Sequence, residues 1–407
     1  MNLPLFIAKR YFFSKRKKNF INLISILSMV GVAFSTAALI IVLSVFNGLE
    51  DLLRSLNSSF DPELKIEIVK GKSFEVDDAL RKKIEAIEGV EIVTDVIEDY
   101  AYMRYRDADM VVTIKGVSDN FLDQHRLDGH VVDGKLRLVE NGVNYAIVGR
   151  GIQYALSIGI ENNIYPLQVF YIKSANTSTF DVSKIYRRKN IEPGSVFSIE
   201  KNYDENYVFL PLSFAQELLD YGDKRTSLEI KTVAGANIKK VQSRIKDLLG
   251  ERFSVLTNEE QHKDLYKLLK MEKLFVFISL TLLILVSSIN IFFSLMMLVI
   301  DKKKDVAILS AMGASPTLIK RIFLTEGALI AFLGAGIGLL FGGAICWLQD
   351  QYGLVGMGME NALVANYPIK LKAIDFVTTS SVIIAITFLI SFYPASLAGK
   401  SFSTKEL

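Results

Sequence analysis

The chain has 407 residues, half of them hydrophobic, with a formal net charge of +3 and a positive mean hydropathy. So small a charge gives no bulk attraction for a polyanionic partner, and one cysteine, Cys346, excludes any intrachain disulfide. The apolar residues gather in four runs, 20–49, 274–300, 327–349 and 376–398. An uncharged run of about 18 or more residues can cross a roughly 30 Å hydrocarbon core as a helix. The expected fold class is therefore a polytopic α-helical membrane protein with four transmembrane helices and a large α+β domain between the first and second.

In chain order, residues 1–19 form a basic segment carrying Lys9, Arg10, Lys15, Arg16, Lys17 and Lys18 with no acidic residue. Transmembrane helix 1 covers 20–49. "AFS" at Ala33–Ser35 looks like a signal-peptide cleavage site, but a secretory apolar core is about 7 to 15 residues and this one continues to Phe46. At 1.5 Å per residue the run is about 45 Å long, so it must tilt or extend beyond the hydrocarbon.

Residues 50–272 read as an α+β domain of one or two lobes. Period-two and β-branched stretches mark strands: "LKIEIVK", "EIVTDVI", "YAYMRYR", "DMVVTIKGV", "YAIVG", "LQVFYIK", "NYVFLPL" and "SLEIKTV". Helical patterns fall at 75–87, 150–157, 213–221 and 237–249. Residues 174–194 have no regular period and are expected to form a long irregular loop of the functional kind. With no proline or glycine from Asn258 to Ile300, a single rod is expected to run into transmembrane helix 2, 273–300.

The segment 301–317 joins helix 2 to helix 3 (318–349). Residues 301–312 predict a short helix with Val306, Leu309 and Met312 at three-residue intervals and Ile308 beside them. Gly313 suits the position after its end, and Ser315-Pro316 supplies an N-cap and first-turn proline for the next helix. Such a helix either lies on lipid headgroups or slots into a groove of another protein. Gly334, Gly338 and Gly342, each four apart, let helices approach closely in lipid, within the chain or between subunits. A loop, 350–373, leads to helix 4 (374–398) and a tail, 399–407. Lys302, Lys303, Lys304, Lys320 and Arg321 follow helix 2, and Lys400 and Lys405 follow helix 4. Short cytoplasmic loops hold the excess Lys and Arg, so both termini and 301–317 are expected inside and the large domain outside.

Signs of covalent chemistry are missing. His125, His130 and His262 are the only histidines, and nothing has metal-ligand spacing. "GKS" at 399–401 lacks the earlier glycine of a P-loop, since position 394 is Pro394. The apolar runs carry no charge for an ion relay. The expectation is a non-catalytic chain with no metal or cofactor of its own.

"KKKDVAILSAMGASPTLIKRIFLTEG" resembles the cytoplasmic segment of the FtsX/MacB-type permeases of ABC systems, in which it is the coupling helix that docks on the ATPase. The opening "IAKRYFFSKRKKNFINLISILSMVGVAFSTAALIIVLSVFNGLEDLLRS", then "FDPELKI", resembles the lipoprotein-releasing LolC/LolE-type permeases. "MEKLFVFISLTLLILVSSINIFFSLMMLVIDKKKDVAIL" and "SFYPASLAGK" fit the same family. The large domain matches loosely, through "VVTIKGV" and "AIVGRGIQYALSIGI"; where members commonly have Gly-Asp next, this chain has Glu161-Asn162-Asn163.

That resemblance implies a permease subunit in the bacterial inner membrane with a MacB-like periplasmic core. It implies that Asp305, Val306, Ile308, Leu309, Met312 and Gly313 meet a cytoplasmic LolD-like ATPase dimer, which binds ATP and Mg. A second permease copy or a paralogue would complete a lipid-facing cavity for an acylated lipoprotein, with Val42, Phe46, Leu49, Phe275, Ile278 and Leu282 as candidate lining. A periplasmic LolA-like carrier would meet the irregular loop through Phe180, Ile185 and Tyr186. Membrane lipids are partners and nucleic acid is not. The alternatives are an FtsX-like transmitter regulating cell-wall hydrolases and a membrane scaffold with no energy coupling.

Overall fold

The computed structural model describes residues 3–12, 20–160, 165–172, 186–357 and 366–400. In chain order these form α1 (Leu3–Phe12), α2 (Phe20–Phe60), β1 (Leu64–Ile68), β2 (Phe74–Glu75), α3 (Asp78–Glu85), β3 (Val90–Tyr105) and β4 (Ala108–Val117). A 3₁₀ turn at Asp119–Gln124 precedes β5 (Val131–Gly134), β6 (Val139–Glu140), β7 (Val143–Gly149), α4 (Arg150–Leu156), β8 (Leu167–Ile172) and β9 (Tyr186–Phe197). Then come α5 (Lys201–Asn206), β10 (Tyr207–Pro211), α6 (Leu212–Leu219), β11 (Lys224–Arg225), β12 (Ser227–Thr232), α7 (Ile238–Leu249) and β13 (Phe253–Thr257). The chain continues through α8 (Asn258–Gln261), α9 (Lys263–Asp301), α10 (Lys303–Ala311), α11 (Pro316–Tyr352) and α12 (Ala373–Lys400). Two compact units result: a helical unit of Met1–Leu52 with Lys267–Leu407, and a sheet unit of Leu53–Tyr266.

In the helical unit, α2, α9, α11 and α12 are, among the described residues, the helices long and apolar enough to cross a membrane. Leu39 and Leu43 of α2, Ile284 and Ile291 of α9, Ile330 of α11 and Ile383 of α12 meet in one buried cluster. Small residues bring the helices together. A Cβ on Gly334 would stand 2.7 Å from the Met29 carbonyl oxygen, one on Gly338 would stand 2.7 Å from Thr36 Cβ, and one on Gly342 would stand 3.0 Å from Ala37 Cα. The glycine stripe of α11 thus packs against α2 of the same chain. Serine pairs join α2 to α9: Ser25 to Ser294 at 2.5 Å and Ser35 to Ser287 at 3.0 Å. Lys273 donates to Asn47 Oδ1 at 2.6 Å, and Asn47 Nδ2 donates to Asp375 Oδ2 at 2.5 Å, tying α2, α9 and α12 through buried polar groups. Hydrogen bonding among buried polar groups is what makes their burial tolerable.

The sheet unit holds strands in the order β13-β1-β12-β3-β4-β10-β7-β9-β5, with β8 pairing both β3 and β9. The pairings β3-β4-β10-β7-β9-β8-β3 therefore close into a ring. Its inside is apolar, from Ala101, Met103 and Tyr105 on β3, Val112 and Ile114 on β4, and Val169 on β8, among others. Strand β3 shows the alternation directly: Tyr100, Tyr102 and Arg104 are exposed while Ala101, Met103 and Tyr105 are buried. Strands β1, β12 and β13, which lie outside the ring, build a second core with α3 and α7 around Ile66, Ile84, Leu228, Ile230 and Ile245.

Several expectations need correction. The stretches "EIVTDVI" and "YAYMRYR" are one strand of 16 residues, β3. Of the expected loop at 174–194, residues 174–185 lie outside the described residues, and 186–194 belong to β9, a strand of the ring between β7 and β8. Within the basic segment 1–19, for which the sequence predicts no element, residues 3–12 form α1, which packs against α11. The expected rod from Asn258 to Ile300 is broken at His262.

Candidate functional site

The short helix α10 is the first candidate. Its flanks fold as the residues dictate: Gly313 takes φ +92°, and Ser315 caps α11 by accepting a hydrogen bond from the Leu318 N–H at 3.3 Å, with Pro316 in the first turn. The predicted apolar stripe divides in two. Val306 is 1 % exposed and packs with Leu298, Val299, Ile319, Phe323 and Ala398, so it anchors the helix rather than forming part of an outward face. Ile308 and Met312 are 58 % and 79 % exposed, with Asp305 and Gly313 also exposed and Leu309 half-buried. Asp305, Ile308 and Met312, at i, i+3 and i+7, share one helical face. Lys302 pairs with Asp301 at 3.2 Å and Asp305 at 3.9 Å at the start of this helix.

The candidate cavity residues fall into two trios. Phe275, Ile278 and Leu282 follow one face of α9 and are exposed, while Val42, Phe46 and Leu49 follow one face of α2 and are half-buried. The two trios therefore occupy different surroundings.

Of the candidate loop residues, Phe180 and Ile185 lie outside the described residues, as do Lys15–Lys18, Glu161–Asn163 and the tail after Lys400. Tyr186 is the first residue of β9 and pairs with Ile172. It lines a groove of about 500 Å³ with Tyr100, Tyr102, Val111, Phe170 and Ile172. The Phe170 and Tyr186 rings stand 5.7 Å apart, and Tyr102 meets Phe170 edge-on at 5.9 Å. The alternation that buries Met103 turns Tyr100 and Tyr102 outward, which is how a β-ring comes to carry aromatic side chains on its outer surface.

Two polar groups escape a sequence reading. Glu326, which directly precedes the apolar run at 327–349, is buried within α11, and its Oε2 has no hydrogen-bond partner among the described residues. In the sheet unit, Glu229 is fully buried between two cations. Lys115 Nζ is 2.7 Å from Oε1 and Arg126 bonds Oε2. Burial favours protonation of Glu229, but the Arg126 and Lys115 charges outweigh it and hold its carboxyl down to about 2. Among the described residues no group of three or more His, Cys, Asp or Glu side chains gathers as a metal site.

Among the described residues, the chain has four membrane-length helices, a sheet domain inserted between the first two, and a short two-faced helix between the second and third. The family profile described as "MacB-like periplasmic core domain" matches residues 25–248, and that described as "FtsX-like permease C-terminal" matches 277–401. The chain belongs to this family of MacB-like, FtsX-like permeases, and its sheet unit is the periplasmic core. Along nearly its whole length it is similar to the lipoprotein-releasing system transmembrane protein LolC of Buchnera aphidicola subsp. Schizaphis graminum, with 25 % identity covering 99 % of this chain and 98 % of the relative. The corresponding LolE of Haemophilus influenzae is also 25 % identical, covering 98 % of each. Among solved structures, the periplasmic region of MacB from Actinobacillus actinomycetemcomitans is 12 % identical and covers 52 % of this chain and 94 % of that one, at a TM-score of 0.35.

Proposed function

We propose that the chain is the permease subunit of an ABC transporter that extracts lipoproteins from the inner membrane and hands them to a periplasmic carrier, driven by a separate cytoplasmic ATPase. The observation that carries this reading is the two-sided α10: Val306 fixes it from within while Ile308 and Met312 stand exposed for a partner, in a chain similar end to end to LolC. Both termini and α10 then face the cytoplasm. The exposed trio on α9, with the trio on α2, lines an acyl-chain cavity completed by a second permease. The aromatic groove beside Tyr186 is the surface a carrier would meet. Each buried CH₂ contributes about 0.8 kcal/mol, so drawing several acyl chains out of a bilayer requires ATP and a receiving cavity.

The test is to purify the chain with its native partners in mild detergent and record native mass spectra with and without ATP and carrier. The expected result is a bound ATPase pair and an acylated-protein adduct that disappears when both are added. Ile308→Glu and Met312→Glu should release the ATPase without lowering the unfolding temperature, because both side chains are exposed. A retained ATPase in both variants would remove α10 as the docking element. A complex with a cell-wall hydrolase and no acylated adduct would instead favour a transmitter.

A further inference from the structure

Helix α10 begins where α9 stops, although no proline or glycine lies between Asn258 and Met312. The backbone leaves helical values at Lys302, with φ −91° and ψ 16°. The chain bends there rather than looping out. The Lys302 N–H still donates to the Leu298 carbonyl at 2.9 Å, and the Lys302 carbonyl still accepts from the Val306 N–H at 2.9 Å. One residue's soft dihedrals therefore set the direction of α10. Buried Val306 holds the helix on its inner side, but one anchor leaves it free to turn about that point.

The Lys302 side chain supplies a second anchor. Its Nζ lies 3.2 Å from Asp301 Oδ2, 3.9 Å from Asp305 Oδ2 and 5.7 Å from the centroid of the Tyr11 ring. The two carboxylates flank the bend itself, whereas Tyr11 belongs to α1. That helix is held in its turn. Ala8 is fully buried, Phe12 packs against the buried cluster of α2, α9, α11 and α12, and α1 packs against α11. Burial, with the Asp305 and Glu326 carboxyl groups beside it, pushes the Tyr11 phenol up to about 12. The ring thus stays neutral and keeps its electron-rich face for the cation. All of these residues belong to the helical unit.

We propose that Tyr11 is a positioning residue for α10: by gripping Lys302 it makes α1 the buttress of the docking helix. The exposed face of Asp305, Ile308 and Met312 is then presented in one pose. That this pose serves ATPase docking rests on the function proposed above. The grip of Tyr11 on Lys302 does not. A cation–π contact of this kind shifts a balance between two poses about two- to fivefold. Apparent affinity scales with the fraction of molecules in the competent pose, so loss of the ring should weaken docking by up to that factor.

The experiment uses the full chain in nanodiscs. Spin labels are placed on cysteines replacing Lys304 on α10 and Leu27 on α2, both exposed, with Cys346→Ala. The wild-type background should give one distance. Tyr11→Leu, which keeps apolar bulk against α11 and loses the aromatic face, should add a second distance. Its Kd for the cytoplasmic ATPase should rise about two- to fivefold. Tyr11→Phe, which keeps the face, should restore both readings. Lys302→Met should also give the second distance, and adding Tyr11→Leu to it should change nothing further, because both variants remove one contact. A single distance in Tyr11→Leu would overturn the proposal, as would fully additive effects in the double variant. Should Tyr11→Leu fail to fold, Lys302→Met against Lys302→Arg decides from the other side of the contact, and equal distances in those two would overturn the grip. A wild-type chain that binds no ATPase would refute the proposed function, with the distances still deciding the grip.

Discussion

Replacing Glu229 by glutamine keeps the shape of the side chain and removes its charge. Lys115 and Arg126 are 2 % and 8 % exposed in their side chains, so neither can turn to solvent, and the variant leaves both buried without their shared ion-pair partner, with Asp61 the remaining anion near Lys115. Removing one partner of a buried ion pair costs about 3–5 kcal/mol. In a unit of this size each kcal/mol moves the melting temperature by about 2–4 °C, so the sheet unit should melt roughly 6–20 °C lower. Trp347 is the only tryptophan and lies in α11, so its emission reports on the helical unit and serves as an internal control. The sheet unit is followed by hydrogen exchange of the β4 and β12 amides against temperature. A triple variant with Lys115, Arg126 and Glu229 all replaced by methionine should recover most of the loss, because buried ion networks are often replaceable by apolar groups. A shift below about 3 °C in Glu229→Gln would refute the reasoning, since it would mean that water screens the cluster.

The same carboxylate predicts a pH dependence. Its folded value of about 2 lies below the ordinary 4.5, so its contribution is complete above pH 4.5 and is lost as the pH falls from there through about 2. Melting of the wild-type sheet unit should fall across that window by on the order of 3 kcal/mol, and Glu229→Gln should lack that component. On α11, Gly338→Ala must push α2 away, whereas Gly336, with nothing within 4 Å of its would-be Cβ, should accept alanine without loss. Thermal stability in detergent separates the two, with a loss of about 1–3 kcal/mol expected at 338. Equal stability of the two variants would refute the packing of α11 on α2.

The membrane helices and the caps around α10 were legible because each is written locally. An uncharged run, a glycine after a short helix and Ser-Pro before the next are contiguous signals. Strands β1, β4, β7, β8, β10 and β12 were legible through apolar alternation. Strand β9 was not, since Arg187, Arg188 and Lys189 occupy it and Pro193-Gly194 lies inside it. Its cations are accommodated by partners far along the chain: Arg187 by Asp220 at 3.0 Å and Lys189 by Glu217. The break at His262 was hidden for the same reason, because Asp61 and Tyr203 meet it only in the fold. On α10 the periodicity placed Val306, Ile308, Leu309 and Met312 on a helix, but which of them faces inward depends on α9, α11 and α12. Helix α1 was missed because ten residues beside a basic run carry little periodic signal.

The ring of strands has a consequence for how such a domain can vary. Strands β8 and β9 are neighbours in it, and Ile172 and Tyr186, at either end of their connection, already face each other across the pair. Residues added or removed between them leave every register in the ring unchanged, and each doubling of such a connection costs only about 0.6 kcal/mol. The ring thus separates what must stay constant from what is free to drift, so new recognition can arise between positions 172 and 186 without a search for a new fold.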